Sequence, residues 1–263
     1  MNDFLRYRDR VAVVTGCASG VGAETARLLK EAGARVIGLD LKAVDTVDDF
    51  IKVDLSDPES IASAAMRIDA FDCLFNVAGV SSGAGDPVFV VTVNFLGARL
   101  LTQLLLPRMI RGGAVANVTS VSASRYLENL DVTRQLLATV SVEEGQQWCR
   151  DHPTLLPAGG YALSKEAVIV HTVREGLKHG GQGIRFNCVG PGVIETPFIA
   201  DTLRAKGPAA LDAIPKPLAR ISRPAEQAAA LVFLNSPAAS YVNAHVLWVD
   251  GGTANGRLIG EIA

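Results

Sequence analysis

Tyr161 and Lys165, within Gly159-Gly160-Tyr161-Ala162-Leu163-Ser164-Lys165, are the two side chains whose types and spacing best suit chemistry. They stand four positions apart at the start of an apolar-periodic run (Ala162, Ala167, Val168, Val170 and Val173). That spacing predicts a helix with phenol and ammonium on one face. A free phenol titrates near pH ~10 and is a poor base at neutrality. A neighbouring ammonium stabilises the phenolate, so Lys165 is expected to bring Tyr161 towards the working range as an acid/base. The same spacing also occurs on ordinary amphipathic helices, so the elements around the pair have to carry the argument.

Those elements alternate between short apolar runs and helical patterns. Val11-Ala12-Val13-Val14-Thr15-Gly16 suits a strand buried on both faces. The loop Gly16-Cys17-Ala18-Ser19-Gly20-Val21-Gly22 leads into a helical pattern from Ala23 to Ala32. Glycines at 16, 20 and 22 let the backbone approach a pyrophosphate, whose charge is favoured at the helix N-terminus. A second strand, Ala34 to Asp40, ends on an acid 18 positions beyond Gly22, close to where a carboxylate meets adenosine ribose hydroxyls. That carboxylate would repel a 2′-phosphate, so NAD is expected over NADP, although Lys42 lies nearby. Further strands are expected at Phe50–Leu55, Phe71–Val77, Gly113–Ser120, Gly183–Gly190 and His245–Asp250. A long apolar helix, roughly Val90 to Ile110, carries Asn94 near its beginning. The pattern predicts an α/β fold: one Rossmann-type doubly wound parallel sheet of about seven strands with helices on both faces.

Composition narrows the function classes. A chain of 263 residues suits one domain with a sizeable core. A net charge of −2 without charged blocks gives no support to nucleic-acid or membrane-surface binding. No uninterrupted apolar run reaches membrane-spanning length, and Met1 to Arg6 lacks a signal-peptide apolar region. Cys17, Cys73, Cys149 and Cys188 are scattered, which predicts reduced thiols and a cytoplasmic protein. The four histidines are unclustered, so no metal site is expected.

Taken together, these residues resemble the short-chain dehydrogenase/reductase family over nearly the entire chain. The T-G-x-x-x-G-x-G loop is matched by Thr15, Gly16, Gly20 and Gly22, and the Y-x-x-x-K pair by Tyr161 and Lys165. The P-G turn is Pro191-Gly192, and the N-A-G element appears as Asn76-Val77-Ala78-Gly79, with one residue inserted. The resemblance implies that Tyr161 exchanges a proton with the substrate oxygen while Ser120 holds that oxygen. Lys165 then tunes Tyr161 and binds the nicotinamide ribose, and Asn94 supports a water leading from Lys165 to solvent. Ser122 rivals Ser120, but the family places its serine at the strand end. The implied NAD surface comprises Gly16, Ser19, Gly20, Val21 and Gly22 in the loop, with Asp40, Leu41, Asp54 and Leu55 after the next two strands. It continues through Asn76, Ala78 and Gly79, then Tyr161 and Lys165, and finally Pro191, Gly192, Val193 and Thr196.

One departure from the family is informative. Ser120 and Tyr161 are 41 positions apart, whereas most members hold them much closer together. Within 1–263, read as one domain, the stretch at about 125–157 is a helical insertion, expected as a pair of short helices. It is either a surface excursion, or a pocket wall or altered subunit contact. Residues at about 193–217, rich in Pro and Gly, are expected to form a lid. The insertion resembles one branch of the family, containing 3α-hydroxysteroid dehydrogenase/carbonyl reductases and coniferyl-alcohol dehydrogenases. That branch implies a small-molecule alcohol or carbonyl substrate on a bulky apolar framework, in a pocket including Val121, Leu155, Leu156, Val193, Phe198 and Leu203. It also implies a homo-oligomer, with a dimer expected over a tetramer because the insertion obstructs a common contact. The alternative from another class is a non-catalytic dinucleotide-binding sensor or scaffold.

Overall fold

The computed structural model describes residues 5–196, 199, 207 and 214–262. Its strands are β1 (Val11–Thr15), β2 (Arg35–Asp40), β3 (Asp49–Lys52), β4 (Phe71–Asn76), β5 (Met109–Val118), β6 (Arg185–Pro191) and β7 (His245–Val249). They form one 7-stranded sheet in the order β3-β2-β1-β4-β5-β6-β7, with every pair parallel. The order reverses between β1 and β4, and this is where a crevice opens at the carboxyl ends of a doubly wound sheet.

Alternation along each strand feeds a core on both faces. Val13, Leu74 and Val115 pack on one face, whereas Ala12, Val14, Phe75 and Ala116 pack on the other. The first core takes α2 (Pro58–Met66) and α4 (Ala98–Leu105); the second takes α1 (Gly20–Glu31) and α8 (Pro224–Asn235). Helix starts follow local chemistry. Asp57 accepts from the Glu59 amide ahead of α2, and Asp86 accepts from the Val88 amide ahead of α3 (Pro87–Val91).

The stretch Pro87–Arg108 is long and apolar enough by length and composition to cross a membrane, although Thr92, Asn94, Arg99, Thr102 and Gln103 interrupt its apolar run. Its most apolar part is 67% buried in the fold, in contact with α7 (Tyr161–His179), which explains its composition as that of a core helix. Its middle, Thr92–Gly97, relaxes to a π-helical turn. There the extra residue per turn moves Asn94 out of the regular helical ladder.

The expected pair of short helices is present as α5 (Leu130–Ala138) and α6 (Val142–Asp151). They lie on α3, the π turn and α7, where Leu136, Val142 and Cys149 pack with Phe95, Leu96, Leu163 and Ala167. The buried Arg99 guanidinium fastens the turn between them, donating to Thr139 O at 2.8 Å and Ser141 O at 3.2 Å. The insertion is therefore an integral layer rather than a surface excursion. Most of the segment expected as a lid lies outside the described residues.

Candidate active site

The loop after β1 is shaped by contacts that only glycine tolerates at two places. Gly16 has φ +73°, and a Cβ there would meet Ala78 Cα at 2.9 Å. A Cβ on Gly22 would fall 2.0 Å from Gly16 O. The loop thus closes onto the end of β4, where Thr15 Oγ1 accepts from the Val77 and Ala78 amides, each at 3.0 Å. Ser19, at the N-cap of α1, makes no side-chain cap bond, so this helix start faces the crevice with its amide charge. The site suits an anion such as pyrophosphate.

Asp40, at the end of β2, is held from both sides. One carboxylate oxygen accepts from the Ala18 amide at 3.0 Å, and the other from the Lys42 amide at 3.0 Å. The acid is thereby fixed beside the loop, as a ribose contact requires. Cys17 lies buried beneath it, and burial followed by the Asp40 charge pushes its thiol up to about 11. Asp54 turns the chain after β3 by accepting from the Ser56 amide and hydroxyl at 2.8 and 2.6 Å.

Ser120 follows β5, and its Oγ accepts from the Ser122 amide at 3.2 Å while hydrogen-bonding the Tyr161 side chain. Both serines line the crevice, but that contact falls to Ser120. Lys165 is buried one turn from Tyr161, its Nζ 5.8 Å from the phenol ring centroid and donating to Val118 O at 3.0 Å. Thr119 Oγ1 donates to Lys165 O at 2.8 Å, tying α7 to the end of β5. Asn94 accepts from the Val80 amide at 2.7 Å and donates to Val80 O at 3.0 Å. It braces the strand end against Ser164, to whose hydroxyl it donates at 3.3 Å.

The electrostatics correct one expectation. In the protein's own field Tyr161 is pushed up to about 12 by burial, opposed by the Ser120 hydrogen bond, rather than brought down. Lys165 is itself lowered to about 8 by burial, and its Nζ donates to Val118 O. The low-dielectric setting that strengthens the pair's interaction also opposes both charges, and the second effect is larger here.

One cavity of about 680 Å³ collects nearly all the expected residues, from Asp40, Leu41, Asp54 and Leu55 at one end to Ser120, Tyr161 and Lys165 at the other. Such a volume suits a ligand pocket. The glycine loop, Ser19, Val21, Ala78, Gly79, Pro191, Gly192, Val193 and Thr196 lie between. Asn76 and Asn94 are not on its wall. Asn76 is corrected from a cofactor contact to a bolt inside the sheet, its amide donating to Asn117 Oδ1 at 2.8 Å and Thr102 Oγ1 at 2.9 Å. It is the last residue of β4, one before cavity-lining Val77, and its amide reaches across to β5 and α4 instead. Val121 and Val193 line the cavity as expected, whereas Leu155 and Leu156 do not; Leu156 joins the insertion's core. Phe198 and Leu203 lie outside the described residues.

Sequence reading gave Thr15 no role of its own and did not single out Phe89 or Arg257. Thr15 matched a motif letter, and its hydroxyl joins two strand ends. Phe89 and Arg257 come to the wall from distant segments, with no sequence signal that could have found them.

Comparison with known proteins agrees with this geometry. A family model described as short chain dehydrogenase matches residues 10–131, and one described as enoyl-(acyl carrier protein) reductase matches residues 155–254. The gap between them falls within the helical insertion. The chain is 36% identical to coniferyl-alcohol dehydrogenase of Pseudomonas sp. (strain HR199 / DSM 7063), covering 95% of this chain and 99% of the relative. It is 30% identical to 3-alpha-hydroxysteroid dehydrogenase/carbonyl reductase of Comamonas testosteroni, covering 92% and 95%. The crystal structure of the 3-alpha-hydroxysteroid dehydrogenase from Pseudomonas sp. B-0831, complexed with NADH, superposes with a TM-score of 0.81. It shares 31% identity and covers 96% of this chain and 99% of that one.

Proposed function

The chain belongs to the short-chain dehydrogenase/reductase family of oxidoreductases, and from that premise we infer that it is an NAD-dependent dehydrogenase acting on a bulky alcohol or its carbonyl partner. The observation that carries this is the junction of Ser120, Tyr161 and Lys165 with the Asp40-terminated glycine crevice in one cavity. Family membership favours turnover over a non-catalytic sensor or scaffold.

The residues present fit the cofactor. Gly16, Gly20 and Gly22 let the main chain approach a pyrophosphate, the start of α1 meets its charge, and Asp40 accepts ribose hydroxyls while repelling a 2′-phosphate. When bound, NAD supplies the hydride acceptor or donor. Ser120 holds the substrate oxygen as a preorganised donor. Tyr161 takes or gives the proton at that oxygen. Lys165 stabilises the phenolate form and binds the nicotinamide ribose, a reading supported by its burial beside the end of β5. Asn94 braces Val80 and Ser164 beside Lys165, where a water could carry protons to solvent. Of the segment after β6, the described Ile199 and Ile214 line the cavity.

Coniferyl-alcohol-like and 3α-hydroxysteroid-like alcohols are the substrate classes, as the named relatives suggest. A panel of both, followed by NADH absorbance, tests the reading; silence across both would overturn the branch assignment. A homo-dimer is the assembly we infer, because α5 and α6 cover the flank of α7 and the helix bearing Asn94. Light scattering should give twice the chain mass, and a clean tetramer would refute the obstruction. The four cysteines are buried free thiols, which supports a cytoplasmic location.

A further inference from the structure

Ser120 takes its position from a turn too short to hold itself. The residue is extended, with φ −164° and ψ 154°, and the single 3-10 turn Val121–Ala123 follows it. Its main-chain oxygen accepts from the Ala123 amide at 2.9 Å, and its Oγ accepts from the Ser122 amide at 3.2 Å. The hydroxyl is therefore aimed by an amide inside the turn. Its bond to the Tyr161 side chain is what opposes the effect of burial on that phenol, so its aim bears directly on the acid/base. A lone 3-10 turn has poor hydrogen-bond geometry and no adjoining turns to cooperate with. Its support has to come from elsewhere in the chain.

That support arrives from α9 (Thr253–Leu258), across 136 positions. Arg257 Nη1 donates to Val121 O at 3.2 Å, the same oxygen that accepts from the Ser124 amide at 3.1 Å. The guanidinium also lies 3.5 Å from Ser124 Oγ, so it meets the turn at its first residue and at its cap. The helix that carries it is itself anchored. Asp250 accepts from the Gly252 and Ala254 amides at 2.9 and 2.7 Å, and Thr253 donates to Pro215 O at 3.1 Å. Past its end, the Glu261 amide donates back to Gly256 O at 2.9 Å. Building on the dehydrogenase reading above, we propose that Arg257 is a positioning residue, which holds the Val121 carbonyl and thereby sets the Ser122 amide that orients the Ser120 hydroxyl against Tyr161. Its contribution to the reaction passes through Ser120. A brace for α9 alone, or a direct contact with substrate, would act independently of that serine.

The test is a double-substitution cycle on Ser120 and Arg257, read in two ways. The chain has 4 tyrosines, so in protein isotope-labelled at tyrosine Cζ the Tyr161 resonance is identified by its loss in Tyr161→Phe. Ser120→Ala should displace that resonance by removing the hydrogen bond. Arg257→Met should displace it in the same direction, and should add little once position 120 is alanine. The second reading is turnover of whichever alcohol in the panel above reacts fastest. Arg257→Met should lower kcat and kcat/KM together by about tenfold when Ser120 is present, and by less than about twofold when it is not, because residues acting as a unit are not additive. Arg257→Lys, which keeps one donor, should give smaller changes in the same pattern if the methionine variant does not fold. Equal losses in both backgrounds, or a Tyr161 resonance unmoved by Arg257→Met, would overturn the proposal. The resonance needs no turnover. Silence of the wild type across the whole panel would refute the dehydrogenase reading, and the resonance cycle would still decide the role of Arg257.

Discussion

Around Asp40 the cavity wall is mostly main chain. The glycine loop, the Ala18 and Lys42 amides and the Thr15 hydroxyl form a web of bonds close to 3 Å, all anchored on strand ends. Around Arg257 the wall is side chain, brought in by α3, α9 and the segment after β6. A polar ligand of fixed shape calls for backbone groups held in place by a sheet, whereas an apolar framework calls for side-chain volume that can be recut without disturbing the sheet. The proposed catalytic trio stands where the two constructions meet. Ser120 comes from the β5 end, while Tyr161 and Lys165 come from a helix pinned there by Thr119.

This division can be broken most severely at the junction. Tyr161→Phe removes the proton carrier and should lower turnover by about 10³-fold or more. NADH affinity, read by fluorescence titration, should hold because the glycine web is untouched. Retained activity would refute the assignment, and lost NADH binding would show that the two constructions are not separable.

Asp40→Ser probes the main-chain end alone. The preference for NAD over NADP, as a ratio of kcat/KM, should fall by about tenfold or more, the worth of a lost charge-assisted bond and a relieved repulsion. The ranking of alcohols should stay as it was. A changed ranking would mean that the adenosine end also shapes the substrate end.

A further effect is thermodynamic and concerns Lys165. Its folded-state value of about 8 lies below the ordinary 10.5, so the folded chain binds fewer protons between those values. Stability therefore rises with pH across about 8 to 10.5, and the unfavourable burial of the ammonium is felt in full below 8. Lys165→Met should raise stability at pH 7 by about 2 kcal/mol, after the lost bond to Val118 is counted, while turnover collapses. Thermal melts at pH 7 and pH 10 check this; a gain that does not shrink at the higher pH would contradict the linkage.

Much of the site was legible before any coordinates. The glycines at 16, 20 and 22, the acid at 40 and the four-residue spacing of Tyr161 and Lys165 are local signals, because each reflects a backbone turn or one helix face. The doubly wound parallel sheet of about seven strands followed as well, since alternating strands and helices leave few ways to wind one. The helical nature of the insertion showed in the spacing of its leucines.

What the chain could not announce in one dimension was direction and distance between segments far apart in it. Asn76 reads like a cofactor contact by its neighbours, yet its position one residue short of the crevice turns its amide into the sheet. The spacing of Tyr161 and Lys165 was correct, but the balance between burial and mutual charge depends on everything packed around α7. Arg257 reaches Val121 across 136 positions. Contacts of that kind leave no periodic trace, because they are created when separate elements close over a shared core, and no local preference encodes them.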